Sequence, residues 1–430
     1  MAAWTTGSND GGVRRIRRDL HAFPELGFLE YRTAALTAAH LAKLGWTLRV
    51  GPEVMREDAM LGQPSAASVA EAKAAALAAG APAEWIDRMP GGQTGIVAEL
   101  RRGEGPVLAL RFDMDALPVR ETEAASHNPN AEGFRSARQG LMHACAHDGH
   151  TAIGLALAEQ LANPAASWRG TLRLIFQPAE EGGRGAFPMV EAGILDDVDL
   201  FFAGHLGCHL PTGTVAAEAR GFLFATRSDA VFTGAAAHAA ASPQAGRNAL
   251  LAGATAALGL HAISRHAGAV THVNVGKMVA GGGRNIIADE CLLQLEVRGD
   301  TPESLAFMDR RMMEVLNGAA TMHGCTLETR LMGKNFGAAN DPEAASIVAS
   351  VAGRTEGIAT VLPFRKMDGC DDATTMIRRV QERGGKGTYF LIGSTIANVH
   401  HAIDFDIDEA ALDHGVRLFM GIVETALAPR

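Results

Sequence analysis

The chain has 430 residues, 47% of them hydrophobic and 20% charged, which is the composition of an ordinary globular protein. Its net charge of −9 and the lack of a long basic run argue against nucleic acid as the main partner. Apolar stretches are too short for a membrane span, and the first residues lack the apolar segment of a secretory signal. We therefore expect a cytoplasmic protein of two domains, whose five scattered cysteines are reduced.

Helical and strand patterns alternate along the first half of the chain. Residues 13–48 predict two helices around a Pro-containing turn, and an Ala-rich helical stretch near residues 50–95 has the position of an insertion. Short aliphatic runs then predict four buried strands: TGIVAEL (94–100), PVLALRF (106–112), GTLRLIF (170–176) and DLFFAGHLG (199–207). Such alternation predicts an α/β fold with a mixed, largely parallel sheet flanked by helices.

Polar side chains follow three of these strands. PVLALRF leads into DMDALP, with Asp113 and Asp115, and GTLRLIF leads into QPAEEGG, with Glu180 and Glu181. The imidazole of His205 emerges from the apolar run DLFFAG. Because functional groups collect beyond the carboxyl ends of parallel strands, we expect these side chains to form one site.

The pattern changes between residues 221 and 332. Three strand-like segments (ATRSDAVFTGAAAHAAASP, VTHVNVGKMVAG and DECLLQLEVRG) alternate with two helical ones in this region. About 110 residues is an ordinary domain size. We predict a smaller α+β domain, 221–332, inserted into a catalytic domain made of residues 1–220 and 333–430.

The stretch MHACAHDGH, Met142–His150, indicates metal chemistry when it is combined with two later clusters. Thiolate, imidazole and carboxylate are the ligands of zinc and its first-row neighbours. Adjacent side chains at a strand-to-loop edge diverge, so that one of the two glutamates can bind a metal while the other accepts the proton of a bound water. Five candidate ligands suit two ions that share ligands, with Glu180 left as the base: Cys145, His147, Glu181, His205 and His401.

Other interpretations of the same residues stay open at this point. A Glu-Glu pair is usually solvated, and a lone histidine after an apolar strand is more often a core residue. Cys145 could be a nucleophile activated by His147, although this would leave the glutamates and His401 without a role. The chain could also be a binding subunit whose partner performs the catalysis.

The ordered motifs resemble those of the M20 metallopeptidase family, in its amidohydrolase branch. The motifs that carry the resemblance are RFDMDALP, MHACAHDGHTA, LIFQPAEEG, GHLG, HAAASP, GRN and HH…DFDIDE, and they extend over nearly the whole chain. The resemblance implies a di-metal catalytic domain, a lid domain that also mediates dimerisation, and hydrolysis of N-acyl amino acids. The 50–95 insertion, HDGHTAIGLALA and TRLMG are similar to members that act on p-aminobenzoyl-glutamate, with indole-3-acetyl-aspartate and hippurate as alternatives.

Residue roles follow from the resemblance, motif by motif. It implies that the five candidate ligands above hold two divalent ions, Mn²⁺ or Zn²⁺, that Glu180 is the general base, and that Asp115 orients the ligands. In the lid, His238 would contact the scissile carbonyl across the dimer interface, and Asn285 and Arg298 would hold the substrate carboxylate. The expected assembly is a homodimer, or a heteromer with a B-type paralogue. A missing proline after HH leaves His400 as an alternative to His401.

Overall fold

The computed structural model describes residues 12–164, 167–367 and 369–429. The described chain divides into two compact units. The first unit consists of the chain up to Arg220, Ala338–Met367 and the chain from Asp371 onward, and the second of Gly221–Gly337 with a short segment that ends at Cys370. The second unit extends beyond residue 332, the predicted boundary, because its last strand ends at Asn335.

An eight-stranded mixed sheet forms the centre of the first unit, as far as the structure describes it. Its strands are β1 (Thr47–Val50), β2 (Ile96–Arg102), β3 (Val107–Asp113), β4 (Gly170–Gln177), β5 (Leu200–Leu206), β6 (Thr214–Ala216), β12 (Thr360–Leu362) and β14 (Lys386–Ile392). They lie in the order β1-β2-β4-β3-β5-β14-β6-β12. The four central strands β4, β3, β5 and β14 are parallel, whereas β1, β2 and β6 pair antiparallel. A two-stranded sheet joins β7 (Ala219–Arg220) to β13 (Arg365–Lys366).

Helices cover both faces of this sheet. The helices of the first unit are α1 (Gly12–Ala22), α2 (Tyr31–Lys43), α3 (Ala66–Ala78), α4 (Ala83–Ile86), α5 (Asn128–Ala131), α6 (His147–Ala162), α7 (Ala186–Glu191), α10 (Pro342–Ala352), α11 (Ala373–Glu382) and α12 (Ala410–Ala426). On β14, Gly387 lies against Ile377 of α11, while the ring of Phe390 packs 5.2 Å from that of Phe419 in α12. Residues three apart on a strand point to opposite faces, so α11 and α12 flank the sheet from both sides.

The second unit is a four-stranded antiparallel sheet with two long helices on one face. Its elements are β8 (Phe224–Thr233), α8 (Ala249–His261), β9 (Thr271–Ala280), β10 (Glu290–Gly299), α9 (Pro302–Met322) and β11 (Thr326–Asn335), with strand order β11-β8-β10-β9. Alternate residues of β10, such as Leu293 and Val297, are buried with Ala256 of α8 and Met308 of α9. The predicted α/β fold with a smaller α+β part is therefore confirmed.

The four parallel strands bring their carboxyl ends to one edge of the sheet. Asp113, the last residue of β3, is opposite Gln177, the last residue of β4, and His205 of β5 is opposite Leu391 of β14. The segments that follow β4, β3, β5 and β14 therefore begin at the same edge of the sheet, in that order. No helix among the described residues is both long and apolar enough to cross a membrane.

Helix α1 contributes a buried arginine, Arg17, that contacts α6 and the segment before α12. Its buried residues Val13, Ile16, Arg17, Leu20 and His21 follow the spacing of one helical face. The guanidinium of Arg17 is fully buried and contacts three carboxylates, at 2.9 Å from Oδ2 of Asp148, 2.6 Å from Oδ1 of Asp406 and 3.2 Å from Oε1 of Glu409. Arg17 thus joins the first turn of α6 to the segment before α12.

Replacing Arg17 by leucine should destabilise the first unit by about 3–5 kcal/mol, because two buried carboxylates and the partly buried Glu409 would lose their common cation. Denaturant unfolding followed by circular dichroism measures this loss. Arg15→Leu, at an exposed position of the same helix, is the matched control and should change stability by less than about 0.5 kcal/mol. Equal effects of the two substitutions would contradict the role given to Arg17.

Candidate metal centre

Asp115 connects the ends of β3 and β4. Its carboxylate is buried and accepts two backbone hydrogen bonds, from the N–H of Glu180 to Oδ1 and from the N–H of Glu181 to Oδ2, each at 3.0 Å. The loop that carries the glutamates turns back sharply, since a side chain at Gly185 would collide with the carbonyl oxygen of Pro178. The two glutamates are therefore held by their main chain, and their side chains remain available.

The Cys145–His147 segment forms the start of helix α6. Ala146 has a left-handed backbone (φ 67°), which glycine adopts more easily, and the helix begins at His147. Nδ1 of His147 lies 2.8 Å from the carbonyl oxygen of Asp115. A carbonyl only accepts, so Nδ1 carries a proton, and the neutral form of the ring presents its lone pair at Nε2. This buried Nε2 has no hydrogen-bond partner among the described residues.

His205 follows the same rule on strand β5. Its Nδ1 donates to the carbonyl oxygen of Leu206 at 2.8 Å, and Nε2 lies 3.6 Å from Sγ of Cys145. Burial lowers the pKa of His205 well below its ordinary value, and His150 adds to the shift. The ring is neutral and offers a lone pair toward the cysteine.

His401 brings a further imidazole from the other end of the chain. Its ring is half exposed, and Nε2 lies 3.3 Å from Oε1 of Glu181. That oxygen of Glu181 is buried and makes no hydrogen bond within the described part of the chain. The neighbouring His400 turns its ring elsewhere, with Nδ1 at 3.7 Å from Sγ of Cys145.

The potential ligand atoms converge in overlapping groups. Within each group they lie no more than 4.8 Å apart, and three of the groups are Cys145–His147–His205, Cys145–Glu181–His401 and His147–Glu180–Glu181. Thiol, imidazole and carboxylate donors suit Zn²⁺ and Mn²⁺. Two buried atoms, Nε2 of His147 and Oε1 of Glu181, make no hydrogen bond to the described residues, and a bound cation would satisfy both. The residues present fit a metal centre.

Buried carboxylates dominate the electrostatics of this centre. Burial raises the pKa of Glu180 well above its ordinary value, and the charges of Asp371 and Glu181 add to the shift. Burial also raises the pKa of the Cys145 thiol, with a further contribution from Glu181. A cysteine nucleophile needs a lowered pKa, whereas a neighbouring cation would stabilise this thiolate. The surroundings therefore disfavour Cys145 as a nucleophile.

A buried ion network behind the centre was missed by the sequence analysis. Arg111 of β3 contacts Oδ2 of Asp113 at 2.5 Å, Oδ1 of Asp371 at 3.1 Å and Oδ1 of Asp372 at 3.3 Å. Asp372 in turn accepts the backbone N–H groups of residues 185 and 186. A charged residue inside the hydrophobic run LALRFD was the only signal that could have indicated it.

Glu30 is another buried carboxyl group that the sequence analysis did not identify. It accepts hydrogen bonds from the hydroxyl of Thr94 at 2.7 Å and from the N–H of Ala179 at 2.8 Å, directly before the two glutamates. Burial raises its pKa to about 8, and Asp115 contributes to the shift. Glu30 thus fixes the start of the loop that carries Glu180 and Glu181 through its hydrogen bond with Ala179.

The three predicted substrate-binding residues lie in the second unit. His238 and Asn285 are exposed and close together, since the bridge from His238 to Ile286 and the hydrogen bond from Ala239 N–H to Asn285 O join their segments. Nδ1 of His238 accepts two backbone N–H groups, so its free Nε2 carries the proton. Arg298 lies at the far end of β10, where it pairs with Glu296 at 2.8 Å.

A sheet whose carboxyl edge gathers metal-ligating groups beside an additional buried carboxylate defines a metal-dependent hydrolase. The chain belongs to peptidase family M20/M25/M40, whose sequence pattern matches residues 109–425. The predicted membership of this family is thereby confirmed.

Two relatives are each 45% identical to the chain. Indole-3-acetyl-aspartic acid hydrolase of Enterobacter agglomerans is 45% identical over 395 residues, which cover 91% of each chain. One of the subunits of p-aminobenzoyl-glutamate hydrolase from Escherichia coli is 45% identical over 398 residues, covering 92% of this chain and 91% of its own. Both are amidohydrolases, and the predicted amidohydrolase activity is confirmed at this level.

Solved structures agree with this relationship. An aminobenzoyl-glutamate utilization protein from Klebsiella pneumoniae superposes with a TM-score of 0.84 at 38% identity, covering 97% of both chains. A Bacillus subtilis protein described as a dinuclear metal-binding peptidase of the M20 family has a TM-score of 0.64 at 25% identity, covering 96% of this chain and 97% of its own. The fold is therefore that of the M20 family.

Proposed function

We propose that this amidohydrolase cleaves the amide bond of p-aminobenzoyl-glutamate, releasing p-aminobenzoate and glutamate. The observation that carries the proposal is the group of unsatisfied ligand atoms, Nε2 of His147 and Oε1 of Glu181, beside the protonatable Glu180. The named activity of the Escherichia coli relative and the Klebsiella structure support this substrate. Indole-3-acetyl-aspartate is the second candidate, because its hydrolase is as similar.

We propose a pair of divalent ions, Zn²⁺ or Mn²⁺, as the cofactor. The residues that would hold them are Cys145, His147, Glu181, His205 and His401. The dinuclear centre of the Bacillus subtilis relative supports the number of ions. When bound, the ions would activate a water molecule and polarise the substrate carbonyl.

Glu180 is the proposed general base. Its main chain is fixed by Asp115, and its Oε2 lies 3.9 Å from Nε2 of His147, at the border of the ligand group. A carboxylate whose proton affinity is raised by burial accepts a proton from the attacking water readily. The same group then donates this proton to the leaving amine nitrogen. Glu181, the adjacent residue, would instead serve as a ligand.

Glu180→Gln should abolish hydrolysis of p-aminobenzoyl-glutamate while metal binding persists, because the amide cannot accept the proton. Turnover and metal content are measured on the same preparation, with a panel that includes indole-3-acetyl-aspartate and hippurate. Glu181→Gln is the matched control and should lose metal together with activity.

The same assay separates the metal mechanism from a cysteine hydrolase. Chelation should remove activity, and Mn²⁺ or Zn²⁺ should restore it. Full activity after complete metal removal, or near-native turnover of Glu180→Gln, would contradict the proposed mechanism.

We infer that a second copy of the chain completes the substrate site. The ladder between β8 and β10 continues past Glu290 toward Asn285, whereas Arg298 lies eight residues further along β10. At about 3.4 Å per residue, Asn285 and Arg298 are separated by about 27 Å or more. One small substrate cannot contact both in the same chain. We propose that His238 and Asn285 of one copy and Arg298 of the other bind the same substrate molecule.

The surface of the second unit supports self-association. Strand β9 is an edge strand with exposed Met278 and Val279, and Leu258 on α8 is 76% exposed. An unpaired apolar edge strand is a template for pairing with another chain. The partner is the same chain in a homodimer. Because the Escherichia coli relative is named as one of the subunits of its enzyme, a paralogous chain is the second possibility.

Mixed dimers test whether His238 acts on the partner's catalytic centre. A dimer of one Glu180→Gln chain and one His238→Ala chain, isolated with two different affinity tags, should have about half the wild-type activity, because one of its two sites contains no substitution. Each variant homodimer should be inactive. A dimer of Glu180→Gln with wild type calibrates the half value. An inactive mixed dimer beside a half-active calibration dimer would show that His238 acts within its own chain.

Arg298 is proposed to bind the substrate carboxylate. Its planar guanidinium donates two hydrogen bonds to the carboxylate of Glu296, and it can donate them to the substrate carboxylate instead. Arg298→Met should raise KM for p-aminobenzoyl-glutamate about 10-fold or more and leave KM for its carboxamide analogue unchanged. Arg330→Met is the control, since Arg330 makes a similar ion pair with Glu328 on an exposed strand. Equal effects on acid and carboxamide would contradict the role.

A further inference from the structure

The ring of His400 is fixed from several sides. Its Nε2 accepts the backbone N–H of Cys208 at 3.1 Å, and its face packs on Phe405 with ring centroids 4.8 Å apart. At Gly207, which has a left-handed backbone, a side chain would approach Nε2 to 3.0 Å. Nδ1 lies 3.7 Å from Sγ of Cys145. The orientation of the ring is therefore set by the protein.

The proton position in this ring follows from the amide. A backbone N–H can only donate, so Nε2 of His400 is the acceptor and the single proton of the neutral ring is on Nδ1. The nitrogen that faces the sulfur is therefore an N–H group. Its lone pair is not available to a cation.

The same reasoning excludes a separate metal site at His205, Cys208 and His400. Potential ligand atoms of these three residues lie within 4.8 Å of one another. However, Nδ1 of His205, which faces Cys208, already donates its proton to the carbonyl of Leu206, and Nε2 of His400 is occupied by the amide. Neither imidazole can offer a lone pair to an ion at this place.

We infer that His400 is a hydrogen-bond donor to the thiolate of Cys145 and that His401 alone, of the two adjacent histidines, is a metal ligand; this inference rests on the proposed metal centre. A hydrogen bond to a ligating sulfur withdraws electron density from it, so that the bound cation stays a stronger Lewis acid. His400 is thus a positioning residue that acts through Cys145, because it lowers the electron density on the ligating sulfur. The left-handed backbone of His401 (φ 69°) turns the second ring toward Glu181.

Cobalt substitution tests the inference, because thiolate-to-Co²⁺ charge transfer reports on the sulfur. His400→Phe keeps the aromatic packing on Phe405 but removes the donor. It should bind as many equivalents of Co²⁺ as wild type at saturation, with about 10- to 100-fold weaker affinity and a charge-transfer band shifted to longer wavelength. His400→Asn, which can place an amide N–H near the former Nδ1, should return the band toward its wild-type position. His401→Phe should lose bound metal.

Several outcomes would overturn the inference. A loss of metal equivalents in folded His400→Phe would make His400 a ligand, and an unshifted band would show that no hydrogen bond reaches the sulfur. Should His400→Phe fail to fold, an unchanged metal content with a shifted band in His400→Ala would serve as the same test. Wild-type protein that binds no Co²⁺ would overturn both the inference and the proposed metal centre, and is thereby distinguished from failure of the inference alone.

Discussion

The arrangement of the candidate metal centre depends on the three hydrogen bonds made by Asp115. Its carboxylate accepts the N–H groups of Glu180 and Glu181, and its carbonyl accepts the Nδ1 proton of His147. Asp115 alone therefore fixes both the loop after β4 and the first turn of α6. Because the bonds go to main-chain atoms of the glutamates, both of their carboxylates stay free for chemistry. A buried carboxylate with two N–H donors is held firmly, since each bond is charge-assisted.

Two buried arginines support this arrangement from opposite parts of the first unit. Arg111 holds Asp113 and the Asp371–Asp372 pair, whose second member binds the end of the glutamate loop. Arg17 holds Asp148, next to His147, together with acidic residues 406 and 409 that follow His401. Buried ion pairs contribute little net stability once desolvation is counted, but removing one partner is costly. The networks therefore maintain geometry around the centre more than they stabilise the fold.

Sequence patterns predicted those parts of the centre in which the candidate residues directly follow a recognisable strand. Aliphatic runs followed by polar clusters located Asp115 and the glutamates, because a strand and its end are read from one segment. The role of Arg17 was not predictable, since its partners are 131, 389 and 392 residues away. The distance between Asn285 and Arg298 was not predictable either, because thirteen residues lie far apart in an extended strand and close together in a compact segment.

The choice between His400 and His401 shows why some roles require the backbone. Four buried or half-buried histidines around the centre have their tautomers set by main-chain groups. Carbonyl groups bind Nδ1 of His147 and His205, so these rings present lone pairs at Nε2. Amide groups bind Nε2 of His150 and His400, so these rings present N–H groups, to Asp113 and to Cys145 respectively. Whether a histidine can bind a cation is thus decided by which peptide group meets its other nitrogen, and residue type or spacing carries no record of that.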